Sequence, residues 1–134
     1  MKNSSTLNKF IFNEKIDAEF LYSLYEDDYA YIAEVFQTTL KHFEDDLGQI
    51  TLAYDDQNME GLRKAVHKFK PIFGFTGLMN YQEQIGQIEL SLTKPMTKEE
   101  LASIYSCLKS VIDDGKDIIE ADNKRLVDYS GSNS

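Results

Sequence analysis

The sequence predicts an all-α protein, an antiparallel four-helix bundle preceded by a short N-terminal helix. Apolar residues recur every three or four positions along four long segments, and no segment of convincing length alternates as a strand does. Only two prolines interrupt the 134 residues, and the breaks between the periodic segments are short and polar. Because short connections place successive helices side by side in opposite directions, these segments predict a bundle.

The first three helices are predicted from their caps and apolar stripes. A short helix begins at Asp17, whose carboxylate can cap the first turn, and ends near residues 25–27. A second helix covers about residues 28–54, with one apolar stripe formed by Tyr29, Ile32, Phe36, Leu40, Phe43, Leu47, Ile50 and Tyr54. Asn58 caps the third helix and Gly77 stops it, and between them lies the stripe Leu62, Ala65, Val66, Phe69, Phe73 and Thr76.

Two capping boxes predict the start of the remaining helices. Asn80 with Glu83 forms the box of the fourth helix, whose inner face carries Ile85, Ile88 and Leu92. Thr97 with Glu100 forms the box of the fifth. Gly115, in the interior of the fifth helix, is expected to cost about 1 kcal/mol relative to alanine.

The chain length predicts a single domain with polar ends. We expect residues 1–14 to form a loose N-terminal segment, residues 15–127 the helical bundle, and residues 128–134 a flexible tail. Monomer is the expected state, because no second apolar face remains once the bundle is formed.

The composition excludes several classes of function. With 14 basic and 23 acidic residues the net charge is -9, which argues against nucleic acid or an anionic membrane as partner. The single cysteine, Cys107, fits a reducing compartment, and the first residues lack the apolar core of a secretory signal. Four pairs of adjacent aspartates lack the spacing of a calcium loop: Asp27-Asp28, Asp45-Asp46, Asp55-Asp56 and Asp113-Asp114. We therefore expect a cytoplasmic protein without metal or cofactor.

The third helix carries a histidine on the face opposite to its apolar stripe. At 100° per residue, His67 points almost directly away from the apolar stripe and should be exposed. Four cations surround it within eight residues and without an acid among them: Arg63, Lys64, Lys68 and Lys70. A basic patch around one histidine, on an acidic protein, suggests a site for a compact anion or an acidic partner.

The same helix contains two residues that helices avoid. Pro71 in an exposed helix interior costs roughly 3 kcal/mol, and Gly74 adds about 1 kcal/mol. Gly74 lies nearly on the face of His67, so we expect it to leave a flat patch where another protein can approach the imidazole. Pro71 is expected to bend the helix at this point.

The segment His67-Lys68-Phe69-Lys70-Pro71, followed by Gly74 and Gly77, resembles the signature of the histidine phosphotransfer (HPt) domain family. In that family the phosphorylated histidine is followed by an apolar residue at +2, lysine at +3, small residues at +4 and +7, and glycine at +10. The upstream turn of the family resembles residues 58–62, and its downstream apolar-Glu pair resembles Ile88-Glu89. The resemblance covers roughly residues 15–122. Pro71 departs from the glycine usual at +4.

The resemblance implies a phosphocarrier in a two-component phosphorelay. His67 would accept a phosphoryl group from an aspartate of one receiver domain and return it to another, and Lys70 would contact the phosphoryl oxygens. We expect the receivers to be bound by Arg63, Lys64, Lys68, Pro71 and Gly74, with the first two as steering charges. The family holds no metal of its own. The chain has no nucleotide-binding loop, so neither autokinase nor independent enzyme activity is expected.

The rival hypothesis is a helical adaptor that binds receiver or other signalling domains without carrying phosphate. An exposed histidine alone is usually a solvated residue, and a basic cluster alone is usually a solvated face. The presence of His67 together with Lys70 favours the phosphocarrier, since an adaptor has no need of that pair.

Overall fold

A computed structural model describes residues 10–132 of the chain and confirms the all-α prediction. No strand occurs among these residues, and none of their helices is long and apolar enough to cross a membrane. The elements are five helices: α1 (Ala18–Tyr25), α2 (Tyr29–Asp55), α3 (Met59–Phe75), α4 (Met79–Ser91) and α5 (Lys98–Ser132).

The four long helices form a closed ring of neighbours. Helix α2 packs against α3 and α5, and α4 packs against the same two helices from the other side. The predicted stripes face inward, and the largest fully buried side chains come from α2 and α3: Phe36, Phe43, Phe69 and Phe73. Two of these rings pack edge to face, with 5.1 Å between the centroids of Phe43 and Phe69. Burying each such ring contributes roughly 1.5–3 kcal/mol to the free energy of folding.

Three of the four predicted N-terminal caps are confirmed. The carboxylate of Asp17 accepts from the Phe20 N–H at 3.0 Å, and the Asn58 amide oxygen accepts from Gly61 at 2.9 Å. At the start of α5, the Thr97 N–H donates to Glu100 and the Glu100 N–H donates to the Thr97 hydroxyl. Each cap satisfies donors that the first turn of a helix leaves unpaired.

The capping box predicted at Asn80 and Glu83 is wrong. Helix α4 begins at Met79, and its N-cap residue, Leu78, makes no side-chain cap bond. Leu78 is fully buried, and its N–H donates to the Phe73 carbonyl at 2.8 Å, while Gly77 adopts φ +79° at the end of α3. The start of α4 is therefore set by a buried leucine and a left-handed glycine, not by a polar cap.

The prediction that residues 1–14 form a loose segment is also wrong for residues 10–14. Phe10 and Phe12 are buried, whereas Ile11 between them is 76% exposed. The segment is fixed on α5, because the Asn13 N–H donates to the Asp122 carboxylate at 2.6 Å and Arg125 donates to the Ile11 carbonyl at 2.6 Å. Residues 1–9 lie outside the described residues.

The expected flexible tail from residue 128 is instead the last turns of α5, which continues to Ser132. Leu126 is fully buried, and the ring of Tyr129 packs edge to face against Phe10 and Tyr29, at 5.4 and 5.2 Å. The N-terminal segment covers this end of the helix, and the burial that it supplies explains why the helix extends beyond the predicted bundle. Residues 133–134 lie outside the described residues.

The packing of the core requires a glycine at position 115, although glycine is unfavourable in the interior of a helix. A Cβ at this position would lie 2.5 Å from Cζ of Phe73, and that ring is fully buried among other aromatic rings. Because the interior is closely packed, the ring has no free space into which it can move. The glycine thus lets α5 approach the core more closely than any other residue would.

We expect Gly115→Ala to lower the free energy of unfolding by about 1–3 kcal/mol, because the new methyl group overpacks the core against Phe73. Gly48→Ala in α2 is the matched control, since no heavy atom other than those of the adjacent helix backbone and chain neighbours lies within 4 Å of its added Cβ. There the better helix propensity should raise the unfolding free energy by about 0.5–1 kcal/mol. Urea denaturation measures both values, and stabilisation by both alanines would contradict the packing argument.

Candidate functional site

His67 lies in the middle of α3 on the solvent side of the bundle, as predicted. Its side chain is 67% exposed, whereas Val66 and Phe69 beside it are buried in the core. The buried neighbours fix the rotation of α3 about its own axis. The imidazole is thus presented outward on a rigid element, where a macromolecule can reach it.

A carboxylate from the neighbouring helix ties His67 to Lys70. Oε2 of Glu89, on α4, lies 2.7 Å from Nδ1 of His67. Oε1 of the same carboxylate lies 3.0 Å from Nζ of Lys70. The Glu89 side chain is only 15% exposed, so that its two oxygens are directed at these partners instead of at bulk solvent.

The hydrogen bond to Glu89 determines which nitrogen of the imidazole is free. Burial raises the pKa of the Glu89 carboxyl, but the hydrogen bonds from Lys70 and His67 outweigh burial, and the pKa is lowered overall. An ionised carboxylate can only accept, so Nδ1 of His67 must be the donor. In the neutral ring the other nitrogen, Nε2, then carries the lone pair. Within residues 10–132, the ring makes its hydrogen bond through Nδ1.

The predicted basic patch is divided into two parts by α3. Arg63 pairs with Glu60 one turn earlier, and Lys70 pairs with Glu89, so two of the four cations are neutralised. Lys64 and Lys68 are exposed on the other side of the helix, where they line a shallow cavity of about 320 Å³ together with the α2 residues Gln49, Leu52 and Ala53. The structure therefore brings only Lys70 to the carboxylate that contacts His67.

The prediction of a flat docking patch at Gly74 is wrong. Gly74 is buried, and a Cβ on it would lie 2.6 Å from Nε2 of Gln82 on α4. Gly74 thus lies inside the α3–α4 contact, where the side chain of Gln82 covers it. Pro71 is exposed, and α3 runs continuously past it from Met59 to Phe75.

Sequence reasoning missed the role of Glu89. In the sequence, Glu89 stands out only as part of the Ile88-Glu89 pair of the family resemblance, 22 positions after His67. One feature of the sequence could have identified Glu89. It directly follows Ile88, which lies on the inner face of α4, and this position predicts a location at the edge of the α3–α4 contact. Its choice of partners depends on the relative rotation of two helices, which the periodicity of either helix alone does not specify.

Comparison of the chain with protein-family models, with curated proteins and with solved structures gives no match. Among the residues that the structure describes, no group of three or more His, Cys, Asp or Glu side chains could hold a metal ion. The candidate functional site is therefore defined by the geometry of His67, Lys70 and Glu89.

We expect Glu89→Gln to lower the unfolding free energy by about 1 kcal/mol at neutral pH, because it removes charged hydrogen bonds from Lys70 and His67. The folded pKa of Glu89 is below its ordinary value, so this stabilisation is present above the unfolded pKa and is lost as pH falls through the folded pKa. The difference between wild type and variant should therefore shrink below about pH 4.5.

Urea denaturation at several pH values measures this difference. Glu83→Gln is the matched control, since Glu83 is an exposed carboxylate of the same helix. A difference for Glu89→Gln that stays constant down to about pH 3 would mean that its carboxylate charge does not contribute to stability.

Proposed function

We propose that this protein is a histidine phosphotransfer protein, which accepts a phosphoryl group from a receiver aspartate on His67 and passes it to another receiver. The observation that carries the proposal is the exposed imidazole whose Nδ1 is bound by Glu89, with Lys70 bound to the same carboxylate. The proposed partners are receiver domains of response regulators or hybrid histidine kinases. The protein would turn over only with these partners and is proposed to act as a cytoplasmic monomer.

The geometry suits Nε2 of His67 as the nucleophile. Its lone pair is free because Nδ1 donates to Glu89, and the side chain is 67% exposed. The phosphoryl donor is an aspartyl phosphate on another protein, so the nucleophile has to be exposed at the surface of this one. Attack by Nε2 forms the nitrogen–phosphorus bond, and the aspartate carboxylate leaves with the electron pair of the broken bond.

Lys70 is the residue best suited to contact the transferred group. Its ammonium carries three N–H donors, of which one is directed at Glu89 Oε1 at 3.0 Å. The remaining donors can bind phosphoryl oxygens on the neighbouring histidine, one helical turn away. Charge-assisted hydrogen bonds of this kind are stronger than neutral ones, so Lys70 would stabilise the phosphorylated state.

The alternative function is an adaptor that carries no phosphate, and one observation is compatible with it. Tyr31 and Phe75 are about half exposed and line a cavity of about 310 Å³ between α2 and α3. Exposed aromatic residues are frequent at protein interfaces. A phosphocarrier also needs such an interface, so this surface alone does not favour the adaptor over the carrier.

We expect phosphorylated receiver domains to label the wild-type protein and to leave His67→Gln unlabelled, because the variant lacks the nucleophile. The label should be acid-labile and base-stable. His42→Gln is the matched control, since His42 is an exposed histidine on α2, and it should be labelled like wild type. Radioactive phosphoryl transfer followed by electrophoresis measures the label. Receivers that bind the protein but never label it would support the adaptor.

Lys70→Ala should slow phosphoryl transfer to His67 by about 10–100-fold, which corresponds to the loss of a charge-assisted hydrogen bond to the phosphoryl group. Lys124→Ala on α5 removes an exposed lysine far from His67 in the chain and should leave the rate within about twofold. Quenched-flow measurement of the labelling rate compares the three proteins. Equal rates for Lys70→Ala and wild type would remove Lys70 from the proposed site.

A further inference from the structure

A cavity of about 430 Å³ lies at the end of the bundle where the chain connects α4 to α5. Its apolar lining comes from the start of α3, from this connection and from α5. Leu92 and Leu101 are buried there, and Met59 and Met96 are half-buried. The cavity shares no lining residue with the candidate site, since His67 lies about 12 Å further along α3 than Met59.

Both charged residues of this lining are lysines. Lys94 and Lys98 are exposed, and within residues 10–132 neither forms an ion pair with a carboxylate. Three other cavities in this part of the chain each include a carboxylate in their lining: Asp114, Asp56 or Glu34. On a chain with a net charge of -9, this cavity therefore offers unpaired positive charge beside an apolar surface.

The hydrogen bonds of the connection between α4 and α5 hold the cavity in shape. At its start, the Lys94 N–H donates to the Ser91 carbonyl at 3.2 Å. At its end, Thr97 and Glu100 form the capping box of α5. Between these points Pro95 has a restricted φ angle. An occupant therefore meets a surface that is formed before binding, which reduces the entropy cost of association.

We propose that this cavity docks an acidic segment of a partner protein, with one apolar side chain inserted against Met59 and Met96. Carboxylates of the same segment pair with Lys94 and Lys98. Methionine side chains adapt to apolar groups of different shape, and they are common at surfaces that bind varied partners. The proposal goes beyond the phosphoryl transfer proposed above and does not depend on it.

The chemistry of the lining decides among the possible occupants. A purely apolar partner would cover the two ammonium groups without pairing them, which costs free energy. An inorganic anion would leave the apolar lining in contact with water. The chain's own residues 1–9 contain two lysines and no acid, so they are not complementary to the cavity. A polypeptide with acids beside one apolar residue matches both the charge and the apolar surface.

Carbon-13 NMR of the methionine methyl groups tests the proposal. The full chain is titrated with a short capped peptide of glutamate and aspartate with one central leucine. The methyl signals of Met59 and Met96 should move, because both residues line the cavity. Met79 is the internal control, since it begins α4 at the end of that helix remote from the cavity, about 20 Å away along the helix axis. Its signal should not move.

Two control peptides separate the charge from the apolar contact. Serine in place of the leucine should weaken binding by about tenfold or more, because no apolar side chain is then buried. Amides in place of the acids should weaken binding by about fivefold or more, because the pairs with the lysines are lost. Equal binding of the serine peptide would make the cavity a general anion site, and equal binding of the amide peptide would make it an apolar contact alone. Either result would overturn the proposal.

A double variant tests the two lysines. Lys94→Gln combined with Lys98→Gln should weaken binding of the leucine peptide by about fivefold or more. Lys41→Gln combined with Lys124→Gln is the matched control, since both are exposed lysines outside the lining, and it should bind like wild type. Equal weakening by the two double variants would mean that overall charge attracts the peptide, which contradicts the proposal. Circular dichroism checks that each variant retains the helical fold.

Three further results would overturn the proposal. The first is that the Met59 and Met96 signals do not move at peptide concentrations up to about 5 mM. The second is that the Met79 signal moves as far as these two, which would indicate unspecific binding. The third is that the same two signals move when the protein is concentrated without peptide, which would assign the cavity to contact with a second copy of the chain.

Discussion

The close packing of α4 against α3 is the constraint on which the candidate site depends. Gly74 is buried at this contact, where an added Cβ would lie 2.6 Å from Nε2 of Gln82, and Gly86 lies against the aliphatic part of Lys70, with 3.6 Å between its added Cβ and Cδ of the lysine. This packing brings the Glu89 carboxylate to His67 and Lys70. A wider separation of the two helices would leave His67 as an ordinary solvated histidine.

The ion pairs reduce the positive charge that the sequence predicts around His67. Four cations in eight residues suggest a strongly positive patch, but Arg63 and Lys70 are each paired with a carboxylate. A site whose cations were all free would bind anions indiscriminately and would oppose protonation of the ring. Pairing instead leaves Lys64 and Lys68 as the exposed charges, which suits attraction of an acidic partner better than retention of a small anion.

The sequence was sufficient for the features that repeat within one helix and insufficient for those that join two distant segments. The apolar stripes, three caps and the exposure of His67 follow from the 3.6-residue period and from local hydrogen bonding. The packing of Phe10 and Phe12 was missed because it depends on contacts such as that between Asn13 and Asp122, 109 positions apart. The burial of Gly74 was missed because it depends on how α4 packs against α3, which the periodicity of α3 alone does not specify.

Pro71 is tolerated because α3 is fixed at both ends and along its inner face. The proline removes the N–H that would bond to the His67 carbonyl, a cost of roughly 3 kcal/mol in an isolated helix. At the start of α3, Asn58 caps the helix, and at its end the Gly77 carbonyl accepts from the Asp17 N–H at 2.8 Å. Between these points the helix buries two phenylalanines, so that tertiary packing and not intrinsic propensity keeps it continuous. The weakened turn therefore lies beside His67 on the solvent side, where Pro71 is exposed and disturbs no core contact.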